Sequence, residues 1–314
     1  MLTAAAVLVV LAVGLVVRLK LPGGSAPGPW MGRPFLAIAH QGGENEAPSS
    51  TLYAFRQATA TGADMLEMDV HATADNVLVV MHDETVDGTT DGTGPIGGKT
   101  FREIQQLDAA FRSDLRGVRT GDRPPPPGYT PDDFRVPSLE EVLTRFPQTP
   151  FTVEIKGRGD SSVRNARLLA DLLTRMNRTQ DVIVASFDDD AIAEFHRRAP
   201  TVGLAPGFNQ VLRYLTLRIR PIDGTVALQI PVSFQGVRVA TPGFIARAHS
   251  DGYAVHVWFS GSGSEDEATY NSLIDACADG LMSSRPTLLE KVLDQRRVAR
   301  PGTPGTTPCP AASG

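Results

Sequence analysis

From Phe35 to about residue 295 short apolar runs alternate with helical segments, and few architectures accommodate that order. The strand-like runs are Phe35–Ala39, Met65–Val70, Val77–Met81, Phe151–Ile155, Val182–Ser186, Val202–Ala205, Val226–Ile230, Tyr253–Trp258 and Gly280–Met282. Helical segments fall between several of them, at Thr51–Thr61, Ser138–Arg145, Ser162–Met176, Ala191–Arg198, Pro242–Asp251 and Glu265–Cys277, and Thr287–Leu293 closes the series. Strands separated by helices pair in parallel through crossover connections. The predicted fold is therefore α/β, a (β/α)8 TIM barrel over residues 34–300, a span that suits the roughly 250 residues such a barrel takes. Nine runs are one too many for eight strands, so one of them should be short or irregular.

One interval breaks the rhythm. Between Asp83 and Pro137 lie 53 residues rich in Gly and Pro, including Pro124 to Pro127. A loop of that length inside a compact barrel is usually functional, so residues 84–136 read as an insertion. At the other extreme, Met1 to Val17 carries no charge, with Arg18 and Lys20 just behind it. Residues 1–21 are long enough to cross a bilayer core of about 30 Å. They read as a single hydrophobic helix, an uncleaved membrane anchor, with a cleaved signal segment as the rival. Arg18 and Lys20 on its C-terminal side favour a cytoplasmic barrel. Residues 22–33 read as a linker, and 301–314 as a disordered Pro/Gly-rich tail.

The two cysteines fit no zinc spacing. Cys277 lies in a helical run and Cys309 in the tail, so a disulfide between them is not expected. A net charge of −5 and the lack of any Lys/Arg-rich run argue against nucleic-acid binding. An acidic chain suits a phosphate-bearing substrate only if something local, such as a bound cation, reverses the sign.

Side chains alternate along a strand. In Met65–Val70, Glu67 and Asp69 therefore share one face while Leu66, Met68 and Val70 take the other. In Phe151–Ile155 the same parity puts Glu154, and then Lys156, opposite Val153 and Ile155. Apolar residues facing the helices leave the three carboxylates pointing into the barrel mouth. Oxygen donors of that kind suit one divalent cation, Mg2+ or Ca2+. Lys156 would add a point charge for a phosphate oxygen. His40 and His82 each end a strand-like run, where barrel enzymes carry their chemistry, and imidazoles titrate near neutrality. His71 shares the parity of the acidic strand. Trp258 reads as either barrel core or the apolar wall of a substrate pocket.

The ordered set Ala39-His40-Gln41-Gly42-Gly43, Pro48-Ser49-Ser50-Thr51, Gly62-Ala63-Asp64, Glu67-Met68-Asp69-Val70, Val80-Met81-His82-Asp83 and Thr89–Gly94 resembles the glycerophosphodiester phosphodiesterase family. The resemblance continues through Arg135–Leu143, Glu154-Ile155-Lys156, Ser186-Phe187, Val255–Trp258, Asp279–Leu281 and Arg285-Pro286, over about residues 35–293. It implies that Glu67, Asp69 and Glu154 hold the metal, that His40 and His82 are the acid/base pair, and that Lys156 contacts phosphate. It also implies the reaction: a free hydroxyl of the substrate's glycerol attacks its own phosphodiester, the alcohol leaves, and the cyclic phosphate is hydrolysed. Two residues depart from the family pattern. Gln41 replaces an Arg that would touch phosphate, and Ser49 replaces a Glu, with Glu44 and Glu46 nearby as substitutes. The expected substrate is a glycerophosphodiester, contacted by Lys156, Gln41 and Trp258. Alternatives are a lysophospholipid, cleaved by a lysophospholipase D-type reaction, and a catalytically weakened phosphodiester-binding barrel.

Overall fold

The computed structural model describes residues 29–113, 125–259, 265–307 and 309. The anchor expected over residues 1–21 lies outside them. No helix among the described residues is long and apolar enough to cross a membrane.

Eight parallel strands form the barrel: β1 (Leu36–Ala39), β2 (Met65–Ala72), β4 (Phe151–Ile155), β5 (Val182–Ala185), β6 (Gly203–Leu204), β7 (Ala227–Pro231), β10 (Ala254–Trp258) and β11 (Gly280–Ser283). They lie in the order β6-β5-β4-β2-β1-β11-β10-β7. A parallel bridge from Leu204 to Thr225 brings β6 and the start of β7 together and nearly closes the ring. The ninth expected strand, β3 (Leu78–Val80), is not part of the ring. It folds back antiparallel on β2, with Val70 opposite Val80. The turn Thr73–Val77 is too short for a crossover, so only a hairpin can form. A second hairpin, β8 (Ser233–Phe234) with β9 (Val237–Arg238), rises after β7 and has no counterpart in the sequence reading.

The helices are α1 (Leu52–Thr61), α2 (Phe101–Ile104), α3 (Leu139–Arg145), α4 (Asp160–Arg175), α5 (Asp189–Arg198), α6 (Phe208–Leu217), α7 (Pro242–Ser250), α8 (Glu267–Asp275) and α9 (Pro286–Arg296). Their starts follow from side chains that accept the orphan N–H groups of the first turn. Thr51 caps α1, Ser138 caps α3, Asp188 caps α5 and Thr241 caps α7. Helix α6 and the short α2 were not expected from the sequence.

Two apolar layers fill the space between ring and helices. Leu66, Met68, Val70, Val153 and Ile155 belong to one, and Ala37, Val255, Val257 and Leu281 to the other. Inside the ring Leu36, Ile38, Met65, Ile183 and Ala254 pack together. Trp30, 3% exposed, joins this inner cluster near Gly203 at the start of β6. The stretch expected to be linker thus supplies a core residue at the strands' N-terminal end. The insertion has a small core of its own, in which Val86, Ile96, Ile104 and Val136 pack against Val79 and Met81 of the β2–β3 hairpin.

Two expectations for the C-terminus are corrected. Residues 301–306 are not a free tail, since Ala299 N donates to Thr306 O and Thr306 N donates to Arg297 O. Phe35 N donates to Ala299 O, so this turn lies against the start of β1. Arg300 explains the anchorage: it is partly buried, pairs with Glu290 and Asp64, and donates to Gly62 O. The turn carries the chain back along α8, and Cys309 forms a disulfide with Cys277. Sequence separation had hidden a proximity that only the ordered turn creates.

His256 on β10 is wholly buried, and neither ring nitrogen has a protein partner. Burial lowers its pKa to about 4, although the Asp279 carboxylate pulls the other way. The folded pKa lies below the ordinary 6.5, so the folded state binds fewer protons between those values. The stability tied to neutral His256 is complete above pH 6.5 and is lost as pH falls towards 4. At about 1.4 kcal/mol per pKa unit the loss is on the order of 3 kcal/mol. Urea denaturation between pH 7 and 4 should show a shallower acid decline for His256→Asn than for the unaltered chain. Parallel declines would remove His256 as the cause.

Candidate active site

The register of β1, β2 and β4 assembles the site. Leu66 pairs with Ala39 and with Phe151, and Asp69 lies opposite Glu154. Leu66, Met68 and Val70 enter the outer apolar layer, so Glu67 and Asp69 face inward, and Glu154 follows by the same parity. His40 comes directly after β1 and reaches the level of Glu67, with Nε2 3.7 Å from Glu67 Oε2. The turn behind it is tight. Gln41 has φ 48°, and Gly42 at φ 79° passes so close to α1 that a Cβ would lie 2.8 Å from Ala54 Cβ. This turn aims the Gln41 N–H at Glu67 Oε2, 2.9 Å away. The Gln41 side chain is buried and is not among the residues that line the cavity described below. Glu44 lies beside His40 instead, 2.6 Å from Nδ1.

His82 arrives by a different route from the one expected. It follows β3, which runs antiparallel to the ring, and Met81 N donates to Asp69 O. The hairpin therefore returns the chain to the rim and leaves His82 above Asp69. His71 Nε2 donates to the His82 carbonyl at 3.1 Å, and Asp83 Oδ1 lies 2.9 Å from His82 Nδ1.

Lys156 Nζ sits 2.9 Å from Asp69 Oδ1 and 2.8 Å from Glu154 Oε1. Because the ammonium takes the space between these carboxylates, the three acids are not gathered around one point. No group of three His, Cys, Asp or Glu among the described residues is arranged to hold a metal. The cluster is nevertheless short of positive charge. Asp69 Oδ2 is buried without a hydrogen-bond partner. Burial and the Asp69 charge raise the pKa of Glu67, and burial and Asp69 raise that of Glu154. Burial alone would lower the pKa of His40, but Glu67, Glu44 and Asp69 together raise it to about 10. Burial likewise opposes the charge on Lys156, and Asp69 and Glu154 outweigh it. Both cations are thus held charged at neutral pH.

These groups form one end of a cavity of about 440 Å³. His40, Glu67, His82, Glu154 and Lys156 line that end, and Gln229, held by its bond to Thr152, lines it too. Trp258, half-buried, joins the barrel core to the cavity wall and meets Phe187 edge-on at 6.1 Å. The other end is apolar, with Phe208, Leu212 and Leu215 of α6 and Phe234 of the β8–β9 hairpin. Sequence reading missed these four residues. The spacing of Phe208, Val211, Leu212 and Leu215 is helical and could have revealed α6, but nothing local places α6 over the mouth.

Comparison with known proteins yields a consistent set. Residues 40–288 match the model of the glycerophosphoryl diester phosphodiesterase family. The chain is 40% identical over 126 residues to glycerophosphodiester phosphodiesterase 1 of Mus musculus, covering 40% of this chain and 34% of that one. It is 31% identical over 196 residues to a glycerophosphodiester phosphodiesterase of Caldanaerobacter subterraneus subsp. tengcongensis, covering 59% of this chain and 75% of the relative. A phosphodiesterase of Oleispira antarctica, solved with the product sn-glycerol-3-phosphate, superposes with a TM-score of 0.64 at 21% identity, over 83% of this chain and 97% of that one. That likeness supports the barrel fold.

Proposed function

Since the chain belongs to the glycerophosphoryl diester phosphodiesterase family, we propose that it hydrolyses a glycerophosphodiester to an alcohol and glycerol 3-phosphate. The observation that carries this reading is the convergence of His40, His82 and Lys156 with Glu67 and Glu154 at one end of a single cavity, with Asp69 buried against Lys156. Phosphoryl transfer needs a base for the attacking hydroxyl, an acid for the departing alkoxide, and positive charge on the equatorial oxygens. His40 holds its proton at neutral pH, and Glu44 engages Nδ1, so Nε2 delivers that proton to the leaving alcohol. His82, held by Asp83 through Nδ1 and by His71 through its carbonyl, offers Nε2 as the base. Lys156 donates to a phosphate oxygen once its bonds to the acids are exchanged.

Three inward carboxylates, one with an orphaned oxygen, are donors that suit one divalent cation, Mg2+ or Ca2+, once Lys156 leaves the space between Asp69 and Glu154. Glu67, Asp69 and Glu154 would hold it, and when bound it would stabilise charge on the phosphoryl oxygens. The apolar end of the cavity supports a second substrate, a lysophospholipid whose single acyl chain lies against Trp258, Phe208, Leu212 and Leu215.

The uncharged segment Met1–Val17 is read as a membrane anchor. The Cys277–Cys309 disulfide supports an oxidising compartment for the barrel, since thiols stay reduced in the cytosol. This reverses the side favoured by Arg18 and Lys20. Chain alkylated in whole cells before lysis should carry no label on Cys277 or Cys309 by mass spectrometry. Labelling of both would return the barrel to the cytoplasm.

Two further outcomes are expected. Excess chelator should abolish turnover of glycerophosphocholine, and calorimetry should show one divalent cation bound per chain, lost in Asp69→Asn. Full turnover under chelation would sink the cation assignment. His40→Gln and His82→Gln should each lower kcat by about 100-fold to 10,000-fold. A nitrophenol leaving group needs no acid, so it should restore most of the rate to His40→Gln and little to His82→Gln. Equal rescue of both would overturn the assignment of roles.

A further inference from the structure

The cavity's apolar end does not stop at the rim. Phe208, Leu212 and Leu215, at i, i+4 and i+7 of α6, share one face. They are 39%, 45% and 37% exposed. Ile219, just beyond the helix, is 51% exposed. Across the mouth the hairpin tip adds Phe234 at 45% and Val237 at 68%, and the Phe208 and Phe234 rings lie 5.6 Å apart. Helix α6 is held from the other side by Tyr214, which is buried against Phe244 and Tyr253. Exposure of the opposite face is therefore a fixed feature of the fold. Contiguous exposed apolar side chains rimmed by polar ones mark an interaction surface.

The charge of this region identifies the partner. Residues 208–251 contain five arginines, Arg213, Arg218, Arg220, Arg238 and Arg247, against two acids, Asp223 and Asp251, in a chain whose net charge is −5. Arg213 and Arg218, both exposed, lie on α6 and at its C-terminal end, while Arg220 turns back to Asp251 and Tyr253 and Arg238, next to Val237, donates to Ala240 O and Ser272 Oγ. An apolar strip bordered by arginines is the pattern of an element lying in a lipid interface, apolar face in the acyl boundary and cations at anionic head groups. We propose that the barrel mouth, through α6 and the β8–β9 hairpin, docks on the surface of an anionic phospholipid bilayer. Lipid then passes from bilayer to cavity along a continuous apolar path. This docking rests on the surface itself and not on the reaction proposed above. It also differs from anchoring by the N-terminal segment, because Trp30 enters at the opposite end of the barrel.

Both native cysteines are in the disulfide, so a single added thiol can carry an environment-sensitive fluorophore in the full chain. Val237→Cys and Ile219→Cys report on the mouth. Gln180→Cys, in the turn before β5, reports on the opposite end. With phosphatidylglycerol vesicles, labels at 237 and 219 should shift to the blue and be quenched by spin-labelled lipid, while the label at 180 stays in water. Affinity read at 237 should be about tenfold or more higher for phosphatidylglycerol than for phosphatidylcholine, and should fall with salt. No shift at 237 and 219, or a shift at 180 in their place, overturns the proposal. A shift that grows with protein concentration without lipid also overturns it, assigning the face to a second copy of the chain. Hydrolysis of soluble glycerophosphocholine by the same labelled proteins separates the two readings. Turnover without a blue shift defeats docking alone, and a blue shift without turnover defeats the catalytic reading alone.

Discussion

The parity of β2 is the constraint on which the site depends. Along Met65–Val70 every second side chain belongs to the outer apolar layer and every other one to the interior. A slip of one residue would place Glu67 and Asp69 under the helices and Leu66 and Met68 in the mouth. Leu66, Met68 and Val70 are fully buried, so such a slip would cost the apolar contacts of three side chains and bury two carboxylates without partners. The same packing on β4 directs Glu154 inward. Core formation and site formation are thus one event: the apolar half of each strand is what aims its acidic half.

The electrostatics follow from that placement. Burial and the Asp69 charge raise the pKa values of Glu67 and Glu154, and the carboxylates hold His40 and Lys156 charged. In the structure Lys156 takes up part of the negative charge by bridging Asp69 and Glu154. Asp69 Oδ2 is left without a partner. This residual imbalance is what a substrate phosphate and a cation can resolve together. The lysine then exchanges one set of oxygens for another with its positive charge intact.

Two hairpins modify a plain barrel. The β2–β3 hairpin brings His82 back over Asp69 and gives the insertion a surface to pack on. The β8–β9 hairpin faces α6 and extends the cavity into an apolar rim. Neither hairpin changes the ring. The barrel supplies rigid carboxylates, and the added pieces supply the second histidine and the reach toward apolar substrate.

Residue type and spacing alone determined the eight ring strands, most helices, the inward carboxylates and the position of His40 at a strand end, because all depend on local period and on apolar contrast. Glu67, Asp69 and Glu154 were legible from two-residue alternation, and α1 from Thr51 and the apolar face behind it. Tertiary structure decided what depends on distant segments meeting. It turned the Leu78–Val80 run into a hairpin rather than a barrel strand, since an apolar run does not encode which partner it pairs with. It aimed the Gln41 N–H at Glu67, because the turn through Gly42 is dictated by the approach of α1. It also brought Cys309 back to Cys277 through the turn that Arg300 anchors on Asp64, Glu290 and Gly62. Periodicity records which way a side chain faces along its own element. The partner it faces is settled only when the ring closes.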